Sequence, residues 1–290
     1  MVPIDAALPN REATEAWNTV LFDKFVRFRH IVTGGLAVHG DRALARHAPS
    51  SGMRVIDLGC GFGDTTIAIA GKLGAGGVVI GVDTAERFIA EAKRDANERG
   101  ITNARFVAAD VQTAELEGPF DFAFARFGTM FFASPLAAMR NVRRAMKPDA
   151  RLCIVVWRKR EDNEWMHTAE RIVRAIVPEP ETKTDAPTCG PGPFSMAGAD
   201  TTSDILLHAG FHDVTFERSD APILIGRDVD DAIEFALALG PAGEIMRLAG
   251  ADGEKLRPRV VTALRDALAS YTTPDGVRAG SSSWIVTARA

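Results

Sequence analysis

The run Val55-Ile56-Asp57-Leu58-Gly59-Cys60-Gly61-Phe62-Gly63-Asp64-Thr65-Thr66 constrains this chain more than any other passage. A short apolar segment ends in an acid, and three alternate glycines come next, before a helical pattern begins. Glycine at such places allows a tight turn and lets a ligand approach the backbone without meeting a Cβ. The helix start behind it offers unpaired N–H groups and a partial positive charge. The passage therefore reads as strand, loop and helix around a nucleotide-type ligand.

The identity of that ligand depends on the glycine spacing and on the strands downstream. A dinucleotide fingerprint needs G-x-G-x-x-G, whereas Gly59, Gly61 and Gly63 give G-x-G-x-G, and Asp64 stands where the third glycine belongs. A carboxylate there adds repulsion near a pyrophosphate, and Asp57 has no task in that scheme. Val78 to Val82 is a second apolar run ending in Asp83, an acid placed to accept hydrogen bonds from two ribose hydroxyls. Ala104 to Ala108 leads to Ala109-Asp110-Val111, and Phe120 to Ala125 is a fourth strand. Taken singly, Asp57 reads as a strand-end acid capping the loop, Asp83-Thr84 as a helix start and Asp110 as a turn residue. Together they put three acids at the ends of three strands, where open α/β sheets bind their ligands.

Motif by motif, residues 50 to 160 resemble the class I S-adenosylmethionine (SAM) dependent methyltransferases. Asp57-Leu58-Gly59-Cys60-Gly61-Phe62-Gly63 is similar to their glycine loop, Asp83 to their ribose acid and Ala109-Asp110-Val111 to their adenine-binding step. Arg126-Phe127-Gly128-Thr129-Met130-Phe131-Phe132 and Pro135 resemble the UbiE/COQ5-like small-molecule group. The resemblance implies a Rossmann-like α/β fold, a seven-stranded mostly parallel sheet with helices on both faces and helical cap and lid insertions. It implies SAM as cofactor, with S-adenosylhomocysteine as product. The residues it assigns to the cofactor are Asp57, Gly59, Cys60, Gly61, Gly63, Thr65, Asp83, Thr84, Phe88, Ala109, Asp110, Val111 and Arg126. It also implies a final strand running antiparallel beside the fifth.

The rest of the chain is organised around that core. Residues 11 to 48 read as helices, with Trp17, Val20, Leu21, Phe25 and Phe28 at spacings of three and four and a break at Gly34-Gly35. Residues 1–50 are expected to form a helical cap and 51–160 the cofactor-binding core. Residues 161–200, rich in proline and glycine after Pro178, are expected as a lid. Residues 201–290 complete the core, with a helical insertion at about 229–271 and a last strand at Ser283 to Ala288. Strand–helix alternation of this kind argues for a parallel sheet covered on both faces.

Composition narrows the function classes. At 46% hydrophobic and 25% charged residues the chain matches an ordinary globular protein. A net charge of −4, with no basic run interleaved with aromatics, gives no pull toward nucleic acid or an anionic membrane. No apolar stretch reaches the ~20 residues that span a bilayer, so membrane insertion is not expected. The N-terminal residues show no secretion signal. Cys60, Cys153 and Cys189 give neither a disulfide framework nor a metal spacing. A cytoplasmic enzyme is expected, with a small-molecule partner and at most a second copy of itself in a homodimer.

Acceptor chemistry is sought after the fourth strand. That segment lacks an Asn/Asp-Pro-Pro-aromatic step and an acid at Ala125 or Arg126 that would hold magnesium, so a metal-free reaction on a small acceptor is expected. Methyl transfer relies on positioning and exclusion of water, with a base only where the acceptor must lose a proton. His30 and His167 are the base candidates. Arg126 either pairs with an anionic acceptor or holds Asp57, Asp83 or the lid. Trp17, Phe22, Phe127, Met130 and Phe131 are candidates to line the acceptor pocket, against a reading as core. His208 and His212 are four apart, but Gly210-Phe211 between them argues against a shared metal. The alternatives are a UbiE-type quinone-ring C-methyltransferase, an NAD(P)-linked oxidoreductase and a non-catalytic SAM-binding protein. Asp64 and the lack of a Tyr-x-x-x-Lys pair disfavour the oxidoreductase; the single tyrosine is Tyr271.

Overall fold

The computed structural model describes residues 10–178 and 192–290; Cys189 and most of the proline-rich stretch of the expected lid lie outside them. Helices α1 (Arg11–Asn18), α2 (Val20–Arg27) and α3 (Ala37–Arg46) precede the sheet. The core then alternates β1 (Arg54–Leu58), α4 (Asp64–Leu73), β2 (Val78–Asp83), α5 (Glu86–Glu98), β3 (Ala104–Ala108), β4 (Phe120–Arg126), α6 (Pro135–Arg144) and β5 (Met146–Trp157). Helices α7 (Glu164–Ile176) and α8 (Ala199–His208) lead to β6 (His212–Gly226). Then come α9 (Val229–Ala238), α10 (Pro241–Leu248), α11 (Gly250–Leu268), the two-residue β7 (Thr272–Thr273) and β8 (Gly276–Arg289).

The strands lie in the order β3-β2-β1-β4-β5-β8-β6, with β7 paired to β8. Strands β1 to β5 are parallel, and β8 runs antiparallel between β5 and β6. The sheet thus has the expected doubly covered, mostly parallel form, with β7 as an eighth strand that closes a short hairpin at Gly276. Alternation along each strand divides the core in two. Val55, Val79, Phe122, Phe124, Val155 and Ile285 pack under α3 and α4. Ile56, Ile80, Ala123, Ile154 and Val286 pack on the other face with α6 and α8. Helix α5 closes with Gly100 in the left-handed region (φ 66°) while Ile101 N–H reaches Ala96 O, the capping geometry expected of that glycine.

Two boundaries add to the sequence reading. The break at Gly34-Gly35 takes the form of a π-helical turn, His30–Gly35, that ends at a bend on Leu36 before α3 begins. A Cβ at Gly35 would lie 2.4 Å from Leu224 O, so glycine here answers a close approach. Strands β6 and β8 are about twice as long as their apolar patterns suggest. Beyond the last β5 pair, Trp157↔Ser283, they continue together to Gly226↔Val277. That ribbon presents Ile223, Ile225, Val277 and Ala279 to α7, α9, α10 and α11, forming a second apolar cluster.

A buried polar seam marks where the ribbon leaves the sheet. His39 on α3 is fully buried, with Nε2 2.7 Å from Ser281 Oγ and Nδ1 2.8 Å from Ser283 Oγ. Ser281 donates its proton to Ala221 O, so His39 Nε2–H donates to Ser281 and Nδ1 accepts from Ser283. Between them, Ser282 N–H donates to Asn163 Oδ1, and Asn163 Nδ2 donates to Ser282 O. Burial, with the charge of Arg42 nearby, lowers the His39 pKa from 6.5 to about 4.

The unfolded chain binds a proton at His39 near pH 6.5 that the native state refuses until about pH 4, so its contribution to stability shrinks as pH falls through that window. His39→Leu, which strands the Ser283 hydroxyl, should cost about 1–3 kcal/mol in urea unfolding at pH 7. That deficit should narrow at pH 5. A deficit unchanged between the two pH values would remove the assigned titration.

Candidate functional site

The glycine loop lies where parallel strands deliver their C-terminal ends to one edge. Gly59, Gly61 and Gly63 all take left-handed backbone, with φ of 65°, 52° and 76°. Their reasons differ. A Cβ at Gly59 would sit 2.9 Å from Gly128 Cα, and one at Gly63 would sit 2.6 Å from the Phe106 ring. At Gly61 a Cβ would meet nothing within 4 Å. Gly59 and Gly63 are therefore packing glycines, and Gly61 alone faces open space.

Three acids line that edge. Asp57 is buried at the end of β1 and accepts a hydrogen bond from Thr66 Oγ1 at 2.6 Å. Burial raises its pKa from 3.8 to about 7 against the pull of Thr66 and Arg126, with Asp64 and Asp83 adding repulsion. Asp83, at the end of β2, accepts from Gly61 N–H and Ala85 N–H, each at 2.9 Å. Burial raises its pKa too, against those amides. Register joins β3 to this edge: Asp83 pairs with Ala108, and Ala109 N–H donates to Asp83 O. Asp110 comes next, with Oδ1 accepting from Gln112 N–H in an Asx turn and both oxygens contacted by Gln112 Nε2. The turn role and the strand-end position coexist. Cys60 packs beneath the loop, and burial pushes its thiol well up. Thr65 and Val111 are also buried.

Arg126 settles between its two sequence readings in an unforeseen way. At the end of β4 its Nη2 donates to Asp64 Oδ2 at 2.6 Å, and it holds neither Asp57 nor Asp83 by a direct bond. Its aliphatic stem presses on Gly40 of α3, where a Cβ would lie 2.7 Å from Cδ. The guanidinium thus ties the first turn of α4 to β4. The same ion pair balances the Asp64 charge at the helix start.

The segment after β4 divides its side chains. Phe127 has φ 59°, unusual for an aromatic residue, and its ring stacks on Trp157 at 3.8 Å between centroids. Met130 is 1% exposed, and its sulfur accepts the backbone N–H of Trp157. Met130 thus sits in the core with Trp157 of β5, while Phe127, partly buried, packs against that core. Phe131 turns the other way and meets Trp17 of α1 at 5.1 Å. Trp17 also meets Phe25 and Phe88, and Phe22 meets Phe62 and Phe88. Thr14 and Thr84 join their hydroxyls at 2.8 Å. Helices α1 and α2 are thereby clamped over the glycine loop and the end of β2 by aromatic edge-to-face contacts. Phe22, at 6% exposure, packs within that clamp.

The histidine candidates separate. His30 Nε2 lies 2.8 Å from Asp231 Oδ2, which also accepts from Arg227; it fastens the π-helical turn to α9. His167 on α7 has a buried Nδ1 with no partner among the described residues. His208 bonds its own helix through Asp204 O, while His212 faces Asp149 and Asp213. Among the described residues no group of three His, Cys, Asp or Glu is placed to hold a metal ion. Sequence reasoning missed His39 and Thr66, whose partners lie on other elements, and Gln112, which bonds Asp110 within one turn; Thr129 Oγ1 and Trp165 Nε1 also remain buried without partners among the described residues.

Residues 49–187 match the family described as a methyltransferase domain. Aklanonic acid methyltransferase DauC of Streptomyces sp. (strain C5) is 33% identical over 101 residues, 34% of this chain and 46% of that protein. Nocamycin O-methyltransferase of Saccharothrix syringae is 30% identical over 174 residues, 57% of this chain and 61% of that protein. The matched part of the chain thus spans about half the length of these relatives. In fold, the crystal structure of the YcgJ protein from Bacillus subtilis agrees with a TM-score of 0.56 at 18% identity, over 87% of this chain and 98% of that one.

A raised pKa at Asp57 means that the native state holds its proton to higher pH than the unfolded chain, so stability is lost as pH rises from 3.8 through about 7. Asp57→Asn keeps an oxygen for Thr66 and removes the buried charge. Its melting temperature relative to wild type should therefore rise between pH 5 and pH 8; a gap that does not move with pH would contradict the assignment.

Proposed function

We propose that this chain, which carries a class I SAM-dependent methyltransferase domain at residues 49–187, transfers the methyl group of SAM to a small, partly apolar metabolite. The carrying observation is the open space over Gly61, flanked by Asp57 and Asp83 at neighbouring strand ends. The donor set suits a nucleoside. Asp83 is held rigid by two amides, and each oxygen keeps a lone pair for a ribose hydroxyl. Ala109, Asp110 and Val111 continue the edge toward an adenine, and Thr84 and Phe88 border it. Pairing with Arg126 removes the Asp64 charge from the loop mouth.

Bound there, the cofactor would supply an electrophilic methyl on a sulfonium. The chain's own contribution is placement and exclusion of water. The aromatic clamp of Trp17, Phe22, Phe25, Phe62 and Phe88 roofs the loop, and Phe131 extends it toward the exit of β4. We take residues 1–50 as the cap, 51–160 as the cofactor core, 161–200 as a lid and 201–290 as the remainder. His167 is the better base candidate, since its Nδ1 is uncommitted while His30 is engaged by Asp231. The compounds named for the relatives, aklanonic acid and nocamycin, favour a small-molecule acceptor. Matches to demethylmenaquinone methyltransferases keep quinone-ring C-methylation as the second reading. No helix among the described residues is long and apolar enough to cross a membrane. The free, buried Cys60 and Cys153 suit a reducing cytoplasm.

Calorimetry should show binding of SAM and of S-adenosylhomocysteine but not of NAD. Asp83→Ala should weaken SAM binding by about 1–3 kcal/mol by leaving ribose hydroxyls unpaired. Gly61→Val should abolish binding with its circular dichroism retained. Full affinity in both variants would refute this site, and turnover of a metabolite panel would separate an enzyme from a SAM-binding protein.

A further inference from the structure

The sheet carries a second concavity, far along β5 from the strand ends that hold the glycine loop. Helix α3 covers Phe124, Val155 and Ile285 and ends at Arg46, above Phe122 and Cys153 of the same sheet face. There a cleft of about 280 Å³ opens over Phe122 and Cys153. Its walls carry Arg151 from β5 and Arg289 from β8, which are direct cross-strand partners. Like charges directly opposite each other in an antiparallel pair destabilise a sheet, so the pair demands an explanation.

Neither arginine is compensated. Arg151 donates to Ala48 O at 2.8 Å and lies over the Phe122 ring, and Arg289 donates to Asp149 O at 3.2 Å. Both partners are neutral carbonyls, and among the described residues neither guanidinium has an ion pair. The nearby acids have other partners, although Asp149 and Asp213 form ion pairs with His212 only when it is protonated. Asp213, which lines the cleft, sits 3.2 Å from His212 Nδ1, Asp149 Oδ1 sits 3.8 Å from His212 Nε2, and Glu217 pairs with Arg46 and His47. His47, on the rim, is held below its usual pKa by burial, then by Arg151 and Arg46. Thr215 and Thr287 face each other across the next rung with hydroxyls 2.7 Å apart. One of them donates to the other, so one hydroxyl proton remains to donate into the cleft.

We propose that this cleft is a second ligand site, in which the paired guanidinium groups of Arg151 and Arg289 bind a small polyoxygen anion, a phosphate or a polycarboxylate. Two planar forks side by side match such an anion. The apolar floor of Phe122 and Cys153 lowers the local dielectric and strengthens the attraction. An anion held between the two guanidinium groups relieves their mutual repulsion. This site stands apart from the glycine loop and does not rest on the methyltransferase reading.

The test is thermal unfolding of the full chain in chloride, phosphate and citrate at one ionic strength. Wild type should gain melting temperature with phosphate or citrate, saturably and beyond chloride, and which of the two acts at lower concentration tells phosphate from polycarboxylate. Arg289→Gln changes an exposed side chain and removes half of the like-charge pair. It should be at least as stable as wild type in chloride, yet lose most of the anion response; Arg289→Lys should keep part of it. Thr215→Val, at the neighbouring rung, should weaken the response several-fold. Equal stabilisation of wild type and Arg289→Gln, or no gain beyond chloride, overturns the proposal.

Discussion

The chain exits of β1 and β4 touch backbone to backbone, and much of the site depends on that contact. A Cβ at Gly128 would lie 2.8 Å from Leu58 O, and one at Gly59 would lie 2.9 Å from Gly128 Cα. Two chains leaving adjacent parallel strands can approach so closely only where neither has a side chain. The approach sets the loop beside the residue that precedes Gly128 by two, so Arg126 reaches Asp64 at the start of α4. Phe127, forced into a left-handed conformation between them, turns its ring back onto Trp157. Such backbone costs of order 1–3 kcal/mol persist only where the surroundings over-determine them, and here stacking and the Phe127 N–H to Val155 O bond do so.

Electrostatics at the two buried ends of the molecule run in opposite senses. Asp57 is uncomfortable as an anion and His39 as a cation, both chiefly through burial. Between pH 4 and 6.5 the first favours the native state at the acid end and the second at the neutral end, so their slopes partly cancel. The difference lies in purpose. His39 has both ring nitrogens satisfied by serines and clips α3 to the ribbon. Asp57 accepts from Thr66 and lies at a strand end neighbouring that of Asp83, and perturbed acids so grouped are candidates for a functional site.

The long β6–β8 ribbon explains how one chain carries two apolar clusters. The parallel core is filled by helices between its strands, while the extension beyond Trp157↔Ser283 would expose Ile223, Ile225, Val277 and Ala279. Helices α9 to α11, inserted between these two strands, return to cover them together with α7. The bond of His30 to Asp231 joins the π-helical turn after α2 to α9.

Much of this was legible in the residues, and the part that was not shares one cause. Apolar runs of five to seven residues announced the parallel strands, because burial on both faces demands them. Gly59, Gly61 and Gly63 announced the loop, because only glycine takes those dihedrals without strain, and the acids at strand ends announced the edge on which the candidate site lies. Those signals are local in sequence. Tertiary structure decided which glycine faces open space and which faces Phe106 or Gly128, that Arg126 serves Asp64, and that Met130 is core while Phe131 meets Trp17. It also paired Arg151 with Arg289 and seated His39 between two serines. Each depends on a partner tens to hundreds of residues away, and a side chain's partner is chosen by packing and register, which no single stretch of sequence contains.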